Sequence, residues 1–333
     1  MLDIKNLRVN LEAKMLESDK VIIVPHRRAD FDAIASSIGI AMFADKLKKE
    51  SHILINDQIY DMDHGVQNII AEAKDIHPTI NVETYRKIEG PNDLFVLTDV
   101  NKQGLIHLDG ISKDKKRLVI IDHHNKDDET LDAGLEHIDT SASSASEIIA
   151  NLLFNAKIKI NPEVANYLLA GILLDTNKLS KNVTSETMKI VSKLFESGAN
   201  MTTASNYFTE DFNSDRRVQE LVNTTRFLNY TVAIIMGEEN TEYTREELAK
   251  AADYLLRYRI DASYAIGSIG NDTVSISARS KDIIDVGSVM QELDGGGSLH
   301  SGATKLEGIT VEEAGKRLMK VIFPPHIRNQ ETN

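Results

Sequence analysis

The apolar positions in the first part of the chain fall into short unbroken runs. Residues 21–24, 53–55, 94–98 and 118–121 read as strands buried on both faces. Between them Ile34, Ile38, Ala41 and Met42 recur at helical spacing, and "NIIAEAK" from Asn68 and "SEIIANLLF" from Ser146 are helical in period. "NPEVANYLLAGILLD" from Asn161 opens with an Asn-Pro helix start, and its apolar end delivers Asp175. Strand–helix alternation predicts an α/β domain over residues 1–192, a mainly parallel sheet flanked by helices. A more polar helical stretch containing "TEDFNSDRRVQELV" reads as a connector over 193–228.

The pattern then restarts, predicting a smaller C-terminal α/β domain over 229–333. "TVAIIMG" is a strand, and "TREELAKAADYLLRYR" is an amphipathic helix opened by a Thr-x-x-Glu capping box. "ASYAIGSIGNDTVSISARS" reads as a hairpin turning at Gly270-Asn271-Asp272. "DVGSVMQEL" is a helix, "DGGGS" a tight loop, and "TVEEAGKRLMKVI" a last helix before a Pro-Pro stop and a polar tail.

Composition narrows the function. The chain has 333 residues, 41% hydrophobic and 27% charged, with a net charge of −13. Such an acidic balance argues against tight binding to long duplex nucleic acid, which needs a cationic footprint. A small anionic substrate stays open, because bound metal ions invert local charge. Cysteine is absent, so disulfides and thiolate zinc sites are excluded. The N-terminus carries no continuous apolar signal segment, and no stretch approaches the ~18 apolar residues of a membrane span. The expectation is a cytoplasmic protein with no membrane partner; a homodimer is open to it.

Candidate chemistry sits where the apolar runs end. "VIIVPHRRADFD" runs from a strand into His26, Asp30 and Asp32. "LFVLTD" ends in Asp99, "RLVIIDHH" in Asp122, His123 and His124, and "LAGILLD" in Asp175. In a parallel α/β sheet the strand C-termini share one edge, where ligands bind. One carboxylate there is commonly a helix cap. A pooled set of carboxylates and imidazoles needs cations to neutralise it. Mixed oxygen and nitrogen ligands suit Mn²⁺, with Mg²⁺ or Fe²⁺ as alternatives. There are enough groups for two ions ~4 Å apart, bridged by a carboxylate, an arrangement suited to phosphoryl transfer.

"HRRADFDAIAS", "LTDVN", "IIDHHN" and "LLAGILLDT" resemble the four ordered motifs of the DHH phosphoesterase family, and "ISARS" with "DGGGSLHSGAT" resembles its DHHA1 substrate-binding domain. The resemblance covers nearly the whole chain. It is strongest to the DHH–DHHA1 part of the membrane-anchored cyclic-di-AMP phosphodiesterases, without their membrane, PAS-like and GGDEF segments, which implies a stand-alone catalytic unit. The resemblance implies two Mn²⁺ ions, one held by His26 and Asp30, the other by Asp32, His123 and Asp175, with Asp99 bridging. It places His124 near the scissile phosphate and Asp122 behind a ligand histidine, orienting it. Arg279, Gly295, Gly296, Gly297, Ser298 and His300 are then the candidate substrate contacts, with the nucleotide held between the two domains.

The implied activity is hydrolysis of cyclic di-AMP, of the linear dinucleotide pApA, or of both, by metal-activated water. Rival readings are a nano-RNA hydrolase acting on short oligoribonucleotides, a pAp phosphatase, and a catalytically silent nucleotide sensor. Two departures stand out. Ser298 occupies the place of the family's glycine-loop histidine, with His300 two residues on, and Asn101 stands where the cyclic-di-AMP branch often has histidine. The histidines at 52, 64, 77, 107, 137 and 326 lie outside all motifs and read as surface or structural residues.

Overall fold

Alternate residues of each central strand are buried on opposite sides, as the two-residue period of a strand requires. The computed structural model describes residues 3–56, 62–108, 111, 114–209, 212–228, 231–281 and 283–323. It divides into two units, residues 1–209 and 210–333.

The first unit runs α1 (Ile4–Glu17), β1 (Val21–Pro25), α2 (Phe31–Lys46), β2 (Ser51–Leu54), α3 (His64–Ala73), β3 (Thr79–Ile80), α4 (Val82–Ile88), β4 (Leu94–Thr98), β5 (Leu118–Asp122), β6 (Leu135–Ile138), α5 (Ala145–Asn155), α6 (Pro162–Asp175), α7 (Ser185–Glu196) and α8 (Met201–Asn206). Its strands form a wholly parallel sheet in the order β3-β2-β1-β4-β5-β6. Val21, Ile23, Val96, Val119 and Ile121 face the core built with α2, α5 and α6. Ile22, Val24, Phe95, Leu97 and Ile120 face a second layer with Tyr85 of α4. The mainly parallel, helix-flanked sheet read from the sequence is therefore present. Its order reverses between β1 and β4, and that switch point is where such sheets bind ligands. Asn161 caps α6 by accepting from the Val164 amide, with Pro162 in the first turn.

The second unit runs α9 (Phe212–Val222), β7 (Arg226–Phe227), β8 (Val232–Met236), α10 (Arg245–Leu255), β9 (Ala262–Ser268), β10 (Thr273–Ser280), α11 (Val286–Gln291), β11 (Gly296–Gly297), β12 (Ser301–Glu307) and α12 (Val311–Ile322). The sheet order is β11-β12-β10-β9-β8-β7, antiparallel except for β8 with β9. Helices α9 and α10 cover one face, with Leu248, Ala251 and Ala252 on Ala233, Ile235 and Ala265. Val286 and Met290 of α11 and Ala314 and Leu318 of α12 cover the other. The β9–β10 hairpin turns through Asn271 and Asp272, both left-handed at φ 50° and 55°, a backbone these short polar residues tolerate.

Three expectations change. The stretch 193–228 is not a separate connector. Leu194 and Ala204 are buried in the core of the first unit, Val218 and Leu221 in that of the second, because both helical stretches are amphipathic and each has a core to cover. "DGGGS" is not only a loop, since Gly296 and Gly297 pair with Ala303 and Gly302 of β12. The strand expected at 53–55 lies at Ser51–Leu54, set by pairing of Ser51 with Val21. The Pro-Pro stop, the tail and His326 lie outside the described residues, as do Glu210 and Asp211 of the polar stretch.

Candidate metal centre

Each side chain of the acidic cluster is presented by a distinct local device. His26 follows β1, and its Nδ1 donates to the Arg27 carbonyl at 2.8 Å, which leaves Nε2 as the free nitrogen. Asp30 caps α2, accepting from the Asp32 and Ala33 amides at 2.9 and 3.1 Å. Asp32 lies in the first turn of α2, fully buried. Its two oxygens accept from the Ala145 and Ser146 amides at the start of α5, both at 2.7 Å. That approach needs a glycine on α6: a Cβ at Gly171 would lie 2.2 Å from Ser146 Oγ and 2.9 Å from Asp32 Oδ1.

Asp99 follows β4 in the left-handed region, φ 60°, and is buried. Such a backbone is uncommon outside glycine, though aspartate visits it more readily than most residues. It turns the carboxylate off the end of the sheet. Asp122 ends β5, and its Oδ1 accepts from the His123 and His124 amides at 2.7 and 3.2 Å and from His124 Nδ1 at 2.9 Å. The ring it bonds is that of His124, and its bond to His123 is to the backbone amide. Asp175 is the last residue of α6, and Asn177, Lys178 and Leu179 after it are all left-handed.

These devices aim the side chains at one another. His26 Nε2 lies 3.7 Å from Asp30 Oδ1 and 3.5 Å from Asp99 Oδ2. His123 Nε2 lies 3.4 Å from Asp99 Oδ1, 3.3 Å from Asp175 Oδ2 and 3.9 Å from Asp32 Oδ2. The two oxygens of Asp99 therefore face two different imidazoles. Separations of this size exceed ordinary hydrogen bonds and match ligands around a shared ion, since neighbours bonded at ~2.2 Å stand ~3.1 Å apart in an octahedron.

Electrostatics agree. Asp99 Oδ1, Asp122 Oδ2, His123 Nε2 and Asp175 Oδ2 are buried without a hydrogen-bond partner, a costly state that a cation relieves. Burial, then the charges of Asp99 and Asp175, push the Asp32 carboxyl well above the usual carboxylate range. Burial also raises Asp175. Burial opposes a charge on His26 and His123, but Asp30 and Asp99 around the first, and Asp175, Asp99 and Asp32 around the second, raise each from 6.5 to about 11. The residues fit a divalent cation pair.

Protons and cations then compete for the same nitrogens. Without metal, folding takes up a proton at each histidine between roughly pH 6.5 and 11. Their contribution to stability is complete below the unfolded pKa and is lost as pH rises through the folded one. Metal binding must release those protons, so it strengthens with pH. Thermal melts at pH 6.5, 7.5 and 8.5 should show a rise in Tm on adding a divalent cation that grows with pH. A pH-independent increment would remove these nitrogens from the site.

Residues 20–172 match the family model described as DHH family, N-terminal domain. They form a DHH-family domain. Over 322 residues the chain is 33% identical to cyclic-di-AMP phosphodiesterase GdpP of Bacillus subtilis, covering 94% of this chain and 49% of the relative. It is 30% identical over 320 residues to the protein of that name in Geobacillus thermodenitrificans, covering 94% and 48%. The chain spans about half the length of these curated relatives. Among solved structures, an exopolyphosphatase-related protein from Bacteroides fragilis superposes with a TM-score of 0.79 at 20% identity, covering 96% of each chain, a likeness of fold.

None of the histidines at 52, 64, 77, 107 and 137 joins the cluster. Asn101, the second departure, is buried just beyond Asp99. The substrate residues expected in the second unit lie close together there. Arg279 pairs with Ser301 across β10 and β12, and its Nε reaches Asp253 at 3.1 Å. Its Nη1 donates to Ser277 Oγ and the Ala278 carbonyl. The Ser298 amide donates to the Ser301 carbonyl at 2.7 Å, and the His300 carbonyl accepts from the Ser280 amide. Gly297, at φ 155°, leaves no room for a Cβ, which would meet the Ser301 carbonyl oxygen at 2.2 Å. Sequence reasoning missed the backbone donors at Ala145 and Ser146 and the close approach at Gly171; the Ser144-x-x-Glu147 capping pattern was the available signal.

Proposed function

We propose that the chain is a hydrolase that uses two Mn²⁺ ions to cleave the phosphodiester of cyclic di-AMP, of pApA, or of both. The observation that carries this reading is Asp99, whose two oxygens face His26 on one side and His123 on the other. His26, Asp30 and Asp99 would hold one ion, and Asp32, His123, Asp175 and Asp99 the other. Bound there, the ions supply water activation and charge neutralisation at phosphorus.

The chain's own residues do the rest. Asp122 accepts from Nδ1 of His124, which fixes that ring and raises its pKa. His124 is the most exposed ring of the cluster, at 58%. A proton on its Nε2 can pass to the leaving 3′ oxygen as the P–O3′ bond breaks and the water oxygen bonds phosphorus in line, the water's own proton leaving to solvent. Cleaving one linkage of the cyclic dinucleotide then yields pApA with a 5′-phosphate. Arg279 and the glycine loop of the second unit are the proposed substrate contacts, since a guanidinium and loop amides both suit phosphate. Similarity to relatives whose names specify cyclic di-AMP supports that substrate.

The test is product analysis with Mn²⁺ on cyclic di-AMP, pApA, pAp and a short oligoribonucleotide side by side. Dinucleotide cleavage that stops on chelation is expected. A preference for the oligoribonucleotide or for pAp would move the protein to a rival activity, and metal-free binding without turnover would make it a sensor. Ser298→His, run in the same assay, is expected to shift the ratio of kcat/KM between cyclic and linear dinucleotide by about 10–100-fold, the scale of one charge-assisted contact. A change within about twofold would remove this loop from substrate selection.

A further inference from the structure

Glu147 is fully buried, yet no step of the proposed reaction uses it. Its Oε2 accepts from the Ser143 amide at 3.0 Å, the Ser143 hydroxyl at 2.6 Å and the Thr187 hydroxyl at 2.8 Å. These partners belong to two different segments. Ser143 leads into the cap of α5, where the Ala145 and Ser146 amides hold Asp32. Thr187 lies in the first turn of α7, bonded to its cap Thr184, and the connection from Asp175 to that turn includes Asn177, Lys178, Leu179 and Asn182 in the left-handed region. One carboxylate thus ties the α5 cap that clamps Asp32 to the start of α7, the helix that follows Asp175 in the chain; Asp32 and Asp175 are two of the three carboxylates beside His123. Asp30 shares the start of α2 with Asp32, but the Ala145 and Ser146 amides hold only the Asp32 carboxylate, and the Asp30 carboxylate is held by the cap amides of α2 itself.

We propose that Glu147 is a positioning residue for the His123 half of the metal centre. It sets the spacing between the Asp32 clamp and Asp175, and so the affinity of one ion without that of the other. This inference rests on the reading that the cluster holds two divalent ions. A buried carboxylate with three donors is costly to replace, because an alanine leaves those donors unpaired in the core. Glutamine keeps a carbonyl oxygen for the same three donors and should largely preserve the spacing.

The experiment is an equilibrium titration of the metal-free full chain with Mn²⁺, with free Mn²⁺ read by EPR. The wild type is expected to take two ions. Glu147→Ala should keep one at near wild-type affinity and bind the other about 10–100-fold more weakly, the usual effect of losing an outer partner of a metal ligand. Glu147→Gln should stay within about threefold of wild type at both sites, which a general loss of stability would not discriminate. Unchanged affinities in Glu147→Ala, or equal weakening of both ions, would overturn the proposal. If Glu147→Ala does not fold, Ser143→Ala and Thr187→Val each remove one bond to Glu147, Thr187→Val also removing the bonds of its hydroxyl to Thr184, and selective weakening of one ion by about threefold or more decides the matter on the same terms. A wild type that takes no ion would sink the metal reading itself, a separate outcome.

Discussion

Replacing Asp99 with asparagine is expected to lower turnover at least about 100-fold while leaving the fold intact. Asparagine has the same shape and accepts the left-handed backbone that Asp99 adopts at φ 60°. What it removes is one charge and one of the two oxygens that face His26 and His123. The metal-free variant should melt within a few degrees of the wild type, as an isosteric change at a tolerated backbone allows. The rise in Tm on adding cation should shrink for the variant, because both half-sites lose a shared ligand. Wild-type turnover in the purified variant would remove Asp99 from the centre.

Gly171→Ala should be the second most damaging single change. By helix propensity alone, alanine in the interior of α6 would stabilise by up to ~1 kcal/mol. Here the added Cβ meets Ser146 Oγ at 2.2 Å and Asp32 Oδ1 at 2.9 Å. The serine hydroxyl can rotate, but Asp32 cannot yield, because the Ala145 and Ser146 amides pin both its oxygens. Helix α6 must therefore shift, at a cost of ~1–3 kcal/mol typical of overpacking. The displaced Asp32 should lower metal-dependent turnover by about 10–100-fold. Gly104→Ala is the control, since a Cβ there meets nothing within 4 Å. Denaturant melts and kcat for both variants check the contrast; a Gly171→Ala protein indistinguishable from the control would show that the clamp is loose.

The central strands were legible because a strand buried on both faces writes itself as an unbroken apolar run. The runs through Val21, Leu94 and Leu118 coincide with β1, β4 and β5 within a residue. The edge strands were not: β3 is only Thr79–Ile80, and in β6 only His137 is buried. Helices α7 and α9 both alternate apolar and polar faces, so nothing in that pattern says that one belongs to the first core and the other to the second. At the centre, the acidic and histidine letters could be read directly at the ends of the runs. The clamp on Asp32 could not, because its donors are backbone amides of Ala145 and Ser146 and its clearance is the missing side chain of Gly171. Glu147 looked like one more helical glutamate, since burial is not written in a residue's letter.

The switch point between β1 and β4 gathers its donors from residue 26 to residue 175, from the ends of β1, α2, β4, β5 and α6. Neither proposed half-site is complete until Asp99, at the end of β4, joins it. In a zinc finger the ion selects the fold out of a disordered chain. In this sheet the ion can arrive only at a finished surface, so it favours the folded state by mass action. Cation contacts absent from the folding transition state leave the folding rate alone and act on the reverse step. On the proposed reading the cation would be a brake on unfolding: metal supply would set how long each molecule lasts, while the apolar strands set how fast it forms.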